Sequence, residues 1–105
     1  METWTPQDLQ AKLDEGSNVF VKLWKPGCGA CKLSISATDR METQNTYGLE
    51  FGQINVEDFP EMLEMSDTDV VPAFFVFRNC KLAGSFVGFK GLAKLDEMLT
   101  TAFTP

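Results

Sequence analysis

Histidine is missing from this chain of 105 residues. Its absence removes Ser-His and Cys-His nucleophile pairs, every His-ligated metal site, and histidine as a general base. Basic residues are also scarce: nine Lys and Arg against fifteen Asp and Glu leave a formal charge of −6. With no basic run, neither nucleic acid nor an anionic membrane surface is expected as the main partner. No stretch approaches the roughly 20 apolar residues of a transmembrane helix. Met1 to Gln10 has no positive segment followed by an apolar one, so no export signal is visible and the expected location is cytoplasmic.

Cysteine is sparse as well. Three is an odd number and too few for a disulfide scaffold. A zinc or iron–sulfur site normally takes four ligands, and beside Cys28 and Cys31 only Cys80 remains, so no metal and no bound cofactor are expected. What is present is globular composition: 44% hydrophobic and 23% charged residues, at a length typical of one domain. Without repeats or linker-like stretches, residues 1–105 read as a single domain.

The periodicity predicts an alternating order of elements. Glu2 to Thr5 reads as a short edge strand. A helix follows, with Thr5 at its N-cap, Pro6 in its first turn, Leu9 and Leu13 on its buried stripe and Gly16 as its stop. Asn18 to Trp24 is nearly all β-branched or aromatic, as in a central strand covered on both faces. A helix is expected from about Gly29 to Gln44, a strand over Leu49 to Val56, and a helical turn over Phe59 to Met65, opened by Pro60. Ala73 to Arg78 and Leu82 to Val87 flank an Asn79-Cys80-Lys81 hairpin turn. Leu92, Leu95, Leu99 and Phe103 line one face of a last helix over Gly91 to Phe103. The order β-α-β-α-β-α-β-β-α implies an α/β fold with helices on both faces of a central sheet.

Cys28 and Cys31 stand at CxxC spacing between a hydrophobic strand and a helix. That junction puts the first thiol at a helix N-terminus, where free N–H groups and the helix dipole stabilise a thiolate. Thiolate is the nucleophile of disulfide exchange, and a second thiol one turn away resolves the mixed disulfide. Cys28 is therefore the expected attacker and Cys31 the expected resolver. Gly29 and Ala30 keep the intervening turn small and uncharged, leaving Cys28 open.

These residues resemble the thioredoxin family. The resemblance rests on Val21-Lys22-Leu23-Trp24 before Pro26-Gly27-Cys28-Gly29-Ala30-Cys31-Lys32, then Val71-Pro72 leading into Ala73-Phe74-Phe75-Val76-Phe77, then Gly88. It implies the thioredoxin fold, a central mixed β-sheet flanked by helices. It also implies that Pro72 has a cis peptide bond and faces the cysteine pair, with the Val71 backbone offered to an extended substrate segment and Gly88 on the other side of the groove. A monomer that reduces disulfide-containing proteins and is recharged by a thioredoxin-reductase-type donor follows from the same likeness.

The departures from the family matter equally. The tryptophan usual before the first cysteine is Gly27 here, and the proline usual between the pair is Ala30. The buried aspartate of the strand leading to the site is replaced by Lys22, and the lysine of the neighbouring strand by Gln53. Lys22 has two readings: an ammonium behind Cys31 that favours thiolates and raises the reduction potential, or a side chain that snorkels to solvent. Trp4 and Trp24 read as packing residues, and Cys80 as an exposed turn residue. Glu57, Asp58, Glu61, Glu64, Asp67 and Asp69 read as a solvated acidic face that can bias docking towards basic partners.

Together these readings predict a thioredoxin-type protein-disulfide reductase. Two rivals stand beside it: a less reducing oxidant or isomerase, suggested by Ala30 and Lys22, and a thioredoxin-fold binding module that docks partners at Val71-Pro72 without turnover.

Overall fold

The computed structural model describes residues 1–45 and 47–104. Five strands, β1 (Glu2–Thr3), β2 (Val19–Trp24), β3 (Glu50–Asn55), β4 (Ala73–Arg78) and β5 (Lys81–Val87), form one sheet in the order β1-β3-β2-β4-β5. β1 and β2 pair parallel with β3, while β2–β4 and β4–β5 are antiparallel, so the sheet is mixed as expected. The helices are α1 (Pro6–Asp14), α2 (Gly29–Leu33), α3 (Ile35–Gln44) and α4 (Leu92–Ala102), with a 3₁₀ turn at Pro60–Met65.

Side chains of a strand alternate between faces, and β2 shows what that does here. Val19, Val21 and Leu23 join Ile54, Val56 and Phe75 in one core under α1 and the 3₁₀ turn, reached by Leu9 and Met62. Phe20 joins Phe51, Phe74 and Val76 in a second core under α3 and α4, with Met41, Leu95 and Leu99. Lys22 falls on this second face by the same alternation. Both faces of β2 are therefore covered, which explains why every residue of the strand but Lys22 is a large apolar one.

Beyond one-residue shifts at several element ends, three boundaries differ from the sequence reading, each for a local reason. Thr5 is used as a cap and not as strand: its hydroxyl accepts from the Asp8 amide at 3.1 Å while the Asp8 carboxylate accepts from the Thr5 amide at 2.9 Å. β1 accordingly ends at Thr3. The helix predicted as continuous from Gly29 to Gln44 breaks at Ser34, a fully buried serine, into α2 and α3. Its hydroxyl donates back to the Cys31 carbonyl at 2.7 Å, and Thr38 donates to the Ser34 carbonyl at 3.1 Å. Such hydroxyl bonds compete with the helical ladder and bend it. The hairpin turn is two residues long, because Arg78 pairs with Lys81 and leaves only Asn79 and Cys80, at φ +53 and +65. Two consecutive positive φ values are those of a type I′ turn, the tight connection that suits the strand twist.

Candidate active site

β2 delivers the chain to the top of the sheet, and Lys25-Pro26-Gly27 turns it into α2. Gly27 has φ +77, a left-handed conformation in which a side chain is strained even though a Cβ there would touch nothing within 4 Å. Cys28 follows as the N-cap of α2, and its sulfur accepts the Cys31 amide at 3.1 Å. The sulfur takes the place a capping oxygen would hold. A hydrogen bond to that atom, at the positive end of a helix, lowers the cost of carrying charge on it.

Cys28 and Cys31 are joined as a disulfide, with Cα atoms 5.2 Å apart. The two sulfurs differ in access: Cys28 is partly exposed, whereas Cys31 is 4% exposed. The Val71–Pro72 bond is cis, as the resemblance implied. The Val71 carbonyl oxygen lies 3.7 Å from the Cys28 sulfur, and the Gly88 amide donates to the Pro72 carbonyl at 2.7 Å. Cys28, Val71 and Gly88, all partly exposed, thus meet over the fully buried Pro72.

Lys22 lies below this surface. It is 2% exposed, so the snorkelling alternative is excluded, and its ammonium donates to the Cys31 carbonyl at 3.0 Å. Its partner across the parallel ladder is Gln53, the pairing inferred from the sequence. Among the described residues no carboxylate stands within salt-bridge distance of Lys22. Burial pushes its pKa down from the ordinary lysine value, and the Asp39 carboxylate pulls it part of the way back. The Cys31 carbonyl accepts from both the Lys22 ammonium and the Ser34 hydroxyl, so the buried polar side chains Lys22, Ser34 and Thr38 form one connected patch under the resolving cysteine.

Trp24 closes β2 beside the pair, with its indole Nε1 buried and unpartnered among the described residues. Gly29 and Ala30 form the first turn of α2. Cys80 stands apart, exposed on the β4–β5 turn beyond the far end of β4. Trp4 packs in the core on the α1 side, and the six acidic residues around the 3₁₀ turn lie at the surface. Sequence reasoning did not find Ser34 and Thr38. Their four-residue spacing was the available signal, and it reads equally well as an ordinary polar helix face.

Comparison with known proteins agrees with this geometry. The thioredoxin family profile matches residues 1–101. A thioredoxin of Bacillus subtilis is 25% identical over 95 residues, covering 90% of this chain and 90% of its own. A thioredoxin of Mycobacterium tuberculosis is 25% identical over 88 residues, covering 84% of this chain and 76% of its own. A bifunctional thioredoxin reductase/thioredoxin of Mycobacterium leprae is 25% identical over 83 residues, covering 79% of this chain and 18% of that longer protein. The paired CxxC cysteines at the end of β2 and the profile match across nearly the whole chain lead to one conclusion: the chain belongs to the thioredoxin family and is a thiol–disulfide oxidoreductase that reduces protein disulfides.

Proposed function

We infer that Cys28 is the attacking thiol and Cys31 the resolving one. The observation that carries this is the difference in access between the two sulfurs, together with the Cys31 amide held on Cys28. In the forward reaction the Cys28 thiolate attacks a substrate sulfur, the substrate disulfide breaks, and its second sulfur leaves as a thiolate that takes up a proton. Cys31 then loses its proton and attacks the Cys28 sulfur. That step re-forms the Cys28–Cys31 disulfide and releases the second substrate thiol. Val71, Pro72, Gly88 and Gly27 form the substrate-binding rim, with the Val71 backbone beside the attacking sulfur.

Lys22 is a tuning residue in this reading, with Trp24, Gly29 and Ala30 shaping the turn around the pair. An ammonium behind Cys31 favours the thiolate, and hence the reduced form, which raises the potential. The burial of Lys22 therefore favours a couple less reducing than a carboxylate at that position would give. The electron donor is a thioredoxin-reductase-type enzyme, a pairing suggested by the Mycobacterium leprae relative. Residues 1–105 act as one thioredoxin-like domain, monomeric and cytoplasmic. The single sheet supports one domain, and among the described residues no helix is long and apolar enough to cross a membrane.

The test is the equilibrium reduction potential of the pair in thiol–disulfide buffers, read by thiol trapping and mass spectrometry. A value near about −270 mV or below is that of a dedicated reductant. A value above about −200 mV assigns the protein to the oxidant or isomerase class. Absence of turnover with a protein disulfide, or turnover that survives Cys28→Ser, would overturn the roles of the pair.

A further inference from the structure

A cavity of about 250 Å³ opens against the dithiol on the side of β2 and α2, bounded by Lys22, Lys25, Cys28, Cys31, Lys32 and Gln53. Its charge is out of keeping with the rest of the molecule. Three of the nine basic residues line it and none of the fifteen acidic ones does, in a chain of net charge −6. Four other cavities elsewhere on the molecule each include at least one carboxylate: Asp96, Glu97, Glu42 and Asp8 are examples, one in each. The cavity at the dithiol also borders Trp24, whose buried indole N–H has no acceptor among the described residues. Gly27 on the rim carries no side chain to narrow the entrance.

A pocket rich in cationic donors, without an acid and in contact with both cysteines, fits an anion that arrives attached to a disulfide. Size narrows the choice. Complete small-molecule sites enclose about 300–1,000 Å³, so this cavity holds one arm of a ligand and leaves the scissile bond outside, at Cys28. None of Val71, Pro72 and Gly88 lines it, so it adjoins the groove that takes protein substrates only along Gly27 and Cys28.

We propose that this cavity is a recognition pocket for the carboxylate arm of anionic low-molecular-weight disulfides, through which the Cys28–Cys31 pair exchanges electrons with a small-thiol pool as well as with proteins. The inference rests on Cys28 as attacker and Cys31 as resolver. The Cys28 thiolate attacks one sulfur of the small disulfide RSSR. A Cys28–SR bond forms, the RS–SR bond breaks, and one RS⁻ leaves. Cys31, deprotonated, then attacks the Cys28 sulfur and expels the second RS⁻. The protein dithiol is oxidised, RSSR is reduced to two RSH, and the two protons given up by the cysteines are taken up by the leaving thiolates. In reverse, two small thiols recharge the protein disulfide.

The test uses the reduced 105-residue chain and three disulfides of different charge: dianionic glutathione disulfide, neutral hydroxyethyl disulfide and dicationic cystamine. Oxidation of the pair is followed by thiol trapping, and each rate is divided by that of the same disulfide with dithiothreitol, which removes intrinsic reactivity. The expected order is anionic over neutral over cationic, with about tenfold between the extremes at low ionic strength, the lower end of electrostatic steering. The spread should shrink as salt shortens the screening length. A Lys25→Glu/Lys32→Glu double variant should reverse the order. Normalised rates within about twofold of one another, a spread indifferent to salt, or an unchanged order in the double variant would overturn the proposal. The wild-type charge and salt series decides the matter even if the double variant folds poorly. Reduction of insulin is measured in parallel. Charge-blind small disulfides with intact insulin reduction reject the pocket alone, whereas loss of insulin reduction rejects the roles of the cysteine pair.

Discussion

The Lys22 ammonium donates to the Cys31 carbonyl at 3.0 Å, so a buried cation on the central strand holds the backbone of the residue that resolves the mixed disulfide. Removing the charge while keeping the bulk should make the dithiol harder to form. Lys22→Met is expected to lower the reduction potential by about 30 mV, the equivalent of about 1.4 kcal/mol for a two-electron couple. Lys22→Asp should lower it further and speed resolution near neutral pH. Identical potentials across wild type and both variants would mean that Lys22 serves the carbonyl and leaves the sulfur untouched.

The same residue sets a pH dependence of stability. The Lys22 pKa is lowered in the folded chain, so between the folded value and 10.5 the unfolded chain binds more protons, and unfolding free energy rises with pH across that window. Below the window the cost of keeping the ammonium buried is present in full. Lys22→Met should accordingly be more stable than wild type at pH 7, by about 1 kcal/mol on the scale of buried charges replaced by apolar groups. That advantage should shrink as pH approaches 10.5. Denaturant titrations of the oxidised proteins at pH 7 and 10 measure it, and a gap that stays constant would mean that burial does not lower the Lys22 pKa.

Gly52 is fixed by a close approach. A Cβ on it would overlap the Trp4 ring, so the indole rests directly on the backbone of β3. Gly52→Ala should cost about 1–3 kcal/mol, the usual penalty of overpacking. In a Trp4→Ala background the same substitution should cost far less. A double-mutant cycle with no coupling would place the penalty elsewhere.

Ser34→Ala removes the hydroxyl that donates to the Cys31 carbonyl. A loss of about 1 kcal/mol is expected. Because Lys22 remains on that carbonyl, the double variant Ser34→Ala/Lys22→Met should be less stable than the sum of the two single effects, a loss at Ser34 and a gain at Lys22, would give. Strict additivity in thermal unfolding would show that the two donors act independently.

Most of the architecture was legible in the sequence because it is written in local chemistry. The apolar run of β2, the Thr5-Pro6-Asp8 start of α1 and the three- and four-residue steps of α4 each have one satisfactory structural reading. CxxC before a helix likewise constrains which thiol is exposed. The break at Ser34 was not legible, since serine inside a helix can face solvent, and only burial turns its hydroxyl back on the ladder. The location of Lys22 was also open. Alternation put it on one face of β2, but whether that face reached solvent depended on where α2 settled. The lysine-lined cavity was hidden for a similar reason: Lys25 and Lys32 are neighbours only after the chain has turned through Gly27.

The Asn79-Cys80 turn has a practical consequence for assays of this protein. Cys80 occupies φ +65, a backbone position where glycine is relaxed and a side chain is not. Cys80→Gly should therefore leave the hairpin intact while removing the one thiol outside the CxxC pair. Colorimetric thiol counting on that two-cysteine chain would report the occupancy of the dithiol directly, with no background to subtract and no route to cross-linked dimers through the hairpin tip.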